Sequence, residues 1–158
     1  MSESSFLALD QALQTTGWAC YKGDRLVGYG TYQIPANKGI ETRLGLMFAE
    51  LNTLYQKYEF DHLVFEGIQN QQNAETFKKL AYVQAAIMLW CYFTNVDYSI
   101  LSPSEWRSKL PKSFGKKREE QKEKAMELVK ETFGVEATSD EADAICIGLA
   151  HMKDKAAW

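Results

Sequence analysis

The sequence predicts an α/β domain with a mixed central sheet, three antiparallel strands at its N-terminus and helices on both faces. Three observations carry this prediction. Short β-rich runs occupy residues 6–10, 17–21 and 25–34, with Lys22-Gly23-Asp24 as the turn between the second and third. A long amphipathic repeat then separates them from a fourth apolar run, 61–66, and a strand reached through a crossover helix usually lies parallel to an earlier one. The remainder alternates helical segments with one further short strand. With 158 residues, 46% of them hydrophobic and 25% charged, the chain can build a real core and reads as a single domain, 1–158.

The opening strand, Phe6-Leu7-Ala8-Leu9-Asp10, places four apolar residues ahead of a carboxylate, the pattern of a strand buried on both faces. An acid at the carboxyl end of such a strand stands where α/β sheets collect ligands, although it also serves simply to open the loop 11–16. Ile40, Leu44, Met47, Phe48, Leu51, Leu54, Tyr55 and Tyr58 follow a 3.6-residue repeat and predict a packing helix. Asp61 to Glu66 repeats the opening arrangement, an apolar strand delivering an acid at its end. If the two strands run parallel, Asp10 and Glu66 project from one sheet edge.

The loop 67–72 is amide-rich, with Gln69 and Asn70 as candidates for reading bases or phosphates, against the plainer reading of a solvated loop. A helix follows from about Ala74 to Phe93. Its nearly continuous apolar half, Ala81 to Phe93, predicts burial on more than one side, against the sheet and against a second subunit. Tyr98 to Leu101 reads as a strand, Ser102-Pro103 opens a brief helix through Trp106 and Arg107, and a basic helix spans about Lys117 to Phe133, stopped by Gly134. The last helix begins at Thr138-Ser139-Asp140-Glu141, where Thr138 and Glu141 have capping-box spacing. Asp140 and Asp143 then share a helix face, and Asp143 lies among apolar neighbours where an unpartnered carboxylate is costly.

Several function classes fall away on composition. The longest apolar run is interrupted by Gln84 and falls short of a bilayer span, and Met1 to Ser5 is too short for a signal peptide, so a soluble cytoplasmic protein is expected. Cys20, Cys91 and Cys146 are isolated in apolar stretches, which argues for buried thiols. The net charge of −3 conceals an asymmetry. Residues 109–130 hold eight Lys or Arg against four Glu, a local +4, so the rest carries −7. A basic segment beside an acidic remainder suits a nuclease whose carboxylates are neutralised by divalent cations, and equally a solvated helix face laced with ion pairs. Asp10, Glu66, Asp140 and Asp143 form an all-oxygen donor set for Mg²⁺ or Mn²⁺, and a pair of such ions supports phosphodiester hydrolysis.

The order of these elements resembles the RuvC family of Holliday junction resolvases over nearly the whole chain. The resemblance rests on the strand ending in Asp10 with Thr16-Gly17-Trp18 downstream, the strand ending in Glu66, the Asn73 to Leu80 helix start, Leu101-Ser102-Pro103-Ser104, a lysine-bearing helix and Asp140-Glu141-Ala142-Asp143-Ala144. It implies an RNase H-like fold, a homodimer with two active sites, two Mg²⁺ ions per site with Mn²⁺ as a substitute, and paired nicks in four-way DNA junctions. By position, Asp10, Glu66, Asp140 and Asp143 would be catalytic metal ligands and Lys122 the lysine beside the scissile phosphate. Arg107, Lys116, Lys117, Arg118 and Lys122 would grip DNA. Gln11-Ala12 stands where the family typically has Pro-Gly, and Gln69 where it often has an aromatic. The small size and acidic balance resemble the phage-encoded branch. Two alternatives remain open at this point: a hybrid-cutting RNase H-type nuclease and a non-catalytic junction-binding module.

Overall fold

A computed structural model describes residues 3–69 and 73–156. Five strands, β1 (Ser5–Asp10), β2 (Thr15–Lys22), β3 (Arg25–Gln33), β4 (His62–Glu66) and β5 (Asp97–Leu101), form one sheet in the order β3-β2-β1-β4-β5. The β1/β2 and β2/β3 pairs are antiparallel, whereas β1/β4 and β4/β5 are parallel. Asp10 and Glu66 therefore end neighbouring parallel strands at the same sheet edge, as the sequence predicts.

Alternation along β1 assigns the two layers. Phe6 and Ala8 face one side, where α3 (Pro103–Ser108), α4 (Arg118–Phe133) and α5 (Ser139–Ala156) pack. Leu7 and Leu9 face the other, against α1 (Ile40–Tyr58) and α2 (Ala74–Thr94). A strand with both faces covered must be apolar throughout, which is why β1 and β4 are unbroken apolar runs. On the second side Trp90 is fully buried and donates its indole N–H to Asn52 Oδ1 at 2.8 Å, satisfying its one polar atom.

Helix α5 lies unusually close to the sheet, and small residues explain this. Ala8 and Ala19 lie beneath it, and a Cβ at Gly17 would sit 2.0 Å from the carbonyl oxygen of Asp140. Further along, a Cβ at Gly148 would meet the Tyr21 ring at 2.2 Å. The Tyr21 hydroxyl donates to the Ile145 carbonyl at 2.6 Å, tying the helix to β2. Thr138 and Glu141 form the predicted capping box: the Thr138 N–H donates to Glu141 Oε1 at 2.9 Å and the Glu141 N–H to Thr138 Oγ1 at 3.3 Å. His62 and His151 stack at 4.8 Å, at the opposite end of β4 from Glu66.

Within this chain the apolar half of α2 is covered on the sheet side alone. Val83, Ile87 and Trp90 are buried against the sheet, but Tyr92 and Phe93 are 78% and 74% exposed, so only one side of the run finds cover. Among the described residues no helix is long and apolar enough to cross a membrane.

Candidate active site

The carboxyl ends of β1 and β4 and the N-terminus of α5 converge on an open cleft of about 370 Å³. Asp10, Glu66, Asp140 and Asp143 line it together. Each reaches it by a different local rule. Asp10 and Glu66 are the last residues of parallel strands, while Asp140 and Asp143 are three apart on the first turns of a helix capped by its own Thr138 and Glu141. The close seat at Gly17, which is paired with Asp10 in the β1/β2 register, brings that helix start against the strand end.

The four side chains are half-buried and crowd one another electrostatically. Asp10 is raised well above the usual carboxylate range, chiefly by burial and then by the charges of Glu66, Asp143 and Asp140, with Arg107 opposing. Burial also raises Glu66, opposed by a hydrogen bond from Trp106 and by Arg107 and Arg118. Asp143 is pushed up to about 7 by burial and Glu66, with Arg107 and Lys122 pulling the other way. A set of acids that repel one another in this way binds cations favourably, because a divalent ion replaces mutual repulsion with attraction. Among the described residues no three His, Cys, Asp or Glu side chains are already gathered as a metal-binding group. The donor chemistry nonetheless fits a hard cation: every candidate ligand is a carboxylate oxygen.

The same cleft is lined by Arg107, Lys116, Arg118 and Lys122, with Gln11, Gln69 and Gln121 between. The basic segment thus divides into two groups. Lys109, Lys112, Lys124 and Lys130 are committed to ion pairs with Asp154, Glu127 and Glu131, Glu127, and Glu136, the arrangement of a solvated helix face. Lys116, Arg118 and Lys122, with Arg107 just before the segment, line the cleft with the acids. Lys117 is the residue before α4 and lies outside the cleft lining. Asn70 lies outside the described residues.

Two contributors were given no site role from sequence. Trp106 is fully buried and donates its indole N–H to Glu66 Oε2 at 2.8 Å, while the Arg107 guanidinium lies 4.8 Å from its ring centroid. The available signal was a tryptophan directly before an arginine in the short helix that Ser102 caps, but nothing local names Glu66 as its partner. The second is Gln11, whose side-chain amide contacts the Glu66 backbone. Replacing Trp106 by phenylalanine removes a donor that favours ionised Glu66, so Glu66 should hold its proton to higher pH. The acid limb of the pH–rate profile is expected to move upward, with the alkaline limb unchanged; an unmoved acid limb would show that the contact is only structural.

A mixed sheet in the order β3-β2-β1-β4-β5 with helices on both faces is an RNase H-like fold. The family described as crossover junction endodeoxyribonuclease RuvC matches residues 6–151. The chain belongs to the RuvC family. Among relatives, the crossover junction endodeoxyribonuclease RuvC of Akkermansia muciniphila is 28% identical over 152 residues, covering 92% of this chain and 89% of its own. That of Brachyspira hyodysenteriae is 24% identical over 150 residues, covering 92% and 91%. Among solved structures, T. thermophilus RuvC in complex with Holliday junction substrate superposes with a TM-score of 0.82 at 15% identity, covering 98% of this chain and 96% of the other. Membership makes this an endodeoxyribonuclease of a family whose chemistry points to a divalent cation.

Proposed function

We propose that this protein resolves four-way DNA junctions in recombination and repair, working in the cytoplasm as a homodimer that places one nick in each of two strands. The observation that carries the reading is the single cleft in which four carboxylates from three elements face Arg107, Lys116, Arg118 and Lys122. Asp10, Glu66, Asp140 and Asp143 would hold two Mg²⁺ ions, with Mn²⁺ as a substitute. When bound, such ions supply Lewis-acid activation of water and neutralise charge on the leaving oxygen. The chain's own residues do the rest. Trp106 and Gln11 hold Glu66 from its side chain and its backbone. Lys122, whose charge acts on Asp143, would steady the scissile phosphate, and Arg118, whose charge acts on Glu66, would do likewise. Gln69, which lines the cleft, would contact the DNA there.

The test is cleavage of a labelled immobile four-way junction with Mg²⁺, beside a linear duplex, a fork and an RNA–DNA hybrid. Symmetric nicks confined to the junction support the reading. Preferential cutting of the hybrid would replace it with an RNase H-type activity, and metal-dependent cutting of none with junction binding intact would leave a binding module.

The division of the basic residues makes a second expectation. Neutralising Arg107, Lys116, Arg118 or Lys122 should lower the slope of log affinity against log salt by about 0.9 for each phosphate that no longer meets a cation. Lys112→Ala, Lys124→Ala and Lys130→Ala should leave it unchanged, since those charges are already matched within the fold. Equal slopes for both groups would remove the cleft cations from DNA binding.

The dimer interface would lie on the face that α2 leaves uncovered. Leu89, Tyr92 and Phe93 are exposed there, and Tyr98 and Ile100 of the edge strand β5 are exposed as well. Leu89, Tyr92 and Tyr98 line one groove, and an exposed apolar surface of this kind marks an association site. A Tyr92→Glu, Phe93→Glu double variant is expected to sediment as a monomer where the wild type sediments as a dimer; a variant that remains dimeric would move the interface elsewhere.

A further inference from the structure

Gln11 follows Asp10 at the point where β1 leaves the sheet. The parallel β1/β4 ladder runs from Phe6 opposite His62 to Leu9 opposite Phe65 and ends there. One residue further, the Glu66 backbone is paired with Leu101 of β5 on one side. On the other side the β1 backbone no longer pairs with it, and the Gln11 side chain takes that position. The Glu66 N–H donates to Gln11 Oε1 at 3.1 Å, and Gln11 Nε2 donates to the Glu66 carbonyl oxygen. A carboxamide carries the same donor and acceptor as a peptide unit, so it can stand in for the missing rung. Both hydrogen bonds fall on the residue whose carboxylate lines the cleft, and Gln11 itself is adjacent in sequence to Asp10.

We propose that Gln11 is a positioning residue for the cation site: by gripping the Glu66 backbone from the residue next to Asp10, it holds the two strand-end carboxylates in fixed relation where the backbone ladder no longer does. The bland alternative is that the amide merely satisfies two backbone groups. The two differ in consequence. Satisfying polar groups affects stability alone, whereas setting the spacing of two ligands affects ion affinity at constant stability. Residues that orient metal ligands typically contribute about 10–100-fold to affinity or activity. The inference rests on the reading of these acids as a cation site.

The test is calorimetric titration of the DNA-free protein with Mn²⁺ for wild type, Gln11→Met, Gln11→Asn and Ile87→Val. Met matches the length of Gln without its amide, and Asn keeps the amide but not the reach. Ile87 is fully buried in the α1/α2 layer and serves as a stability control remote from the cleft. Both Gln11 variants are expected to bind Mn²⁺ about 10-fold more weakly. The Mg²⁺ concentration for half-maximal cleavage should rise by the same factor. Ile87→Val should lower Tm and leave ion binding alone. Wild-type Mn²⁺ affinity in folded Gln11→Met, or equal weakening in Ile87→Val, overturns the proposal. A wild type that binds Mn²⁺ yet cuts no junction overturns the functional reading and leaves this one standing, whereas one that binds no Mn²⁺ overturns both.

Discussion

Asp143→Asn is expected to reduce junction cleavage by more than about 100-fold, because losing even an outer partner of a metal ligand costs up to that much. At the same time it should make the metal-free protein more stable at pH 8. The sign follows from proton linkage. Asp143 titrates near 7 in the fold, against an ordinary value of 3.8. Between those limits the folded state binds more protons than the unfolded one, so this residue's contribution to stability falls as pH rises from about 4 to 7. Above that window the folded protein carries the full cost of a half-buried charge beside Glu66 and Asp140. Asparagine keeps the shape and removes the charge. Thermal unfolding of the metal-free proteins should therefore show the variant ahead at pH 8, by ~2–4 °C for each kcal/mol relieved, and level with wild type near pH 4. Added Mg²⁺ should raise the wild-type Tm at pH 8 and have little effect on the variant. A variant less stable than wild type at pH 8 would mean that Asp143 is a packing residue held by contacts its charge does not strain.

Gly17→Ala should be as damaging, from a position with no chemistry of its own. The added methyl would lie 2.0 Å from the Asp140 carbonyl oxygen and 2.6 Å from its carbon, and both are backbone atoms that no rotamer change can remove. The helix start must move off the sheet. Forced overpacking of this kind costs about 1–3 kcal/mol. The displacement also carries Asp140 and Asp143 away from Asp10, and misplacement by about 1 Å can reduce a rate 10²-fold. The expected result is a lowered Tm together with a loss of cleavage that Mg²⁺ in excess restores only in part. A fall in Tm with unchanged kcat would show that α5 shifts along the sheet without separating the acids.

The elements of this fold were legible because each is dictated by a local pattern. The apolar runs before Asp10 and Glu66 describe strands covered on both faces, the repeat from Ile40 to Tyr58 describes one helical stripe, and Thr138 with Glu141 marks where the last helix begins. The candidate acids were legible for the same reason: a carboxylate at the end of a buried strand, or among Ala142, Ala144 and Ile145, conflicts with its surroundings unless it has a task. The basic segment was less so. Eight cations within residues 109–130 look alike in sequence. Only the packing of α4 shows Lys112 turned to Glu127 and Glu131, and Lys122 turned to the cleft.

By itself, then, the sequence determined the strand and helix order, the parallel delivery of Asp10 and Glu66, and the donor chemistry of the site, since these depend on residue type and period. The tertiary structure alone decided how the acids are held: Trp106 on the Glu66 carboxylate across 40 positions, Gln11 on its backbone across 55, and the Asp140 carbonyl against Gly17. Contacts between residues so far apart leave no period or spacing in the chain. They exist only once the sheet and α5 have closed on each other.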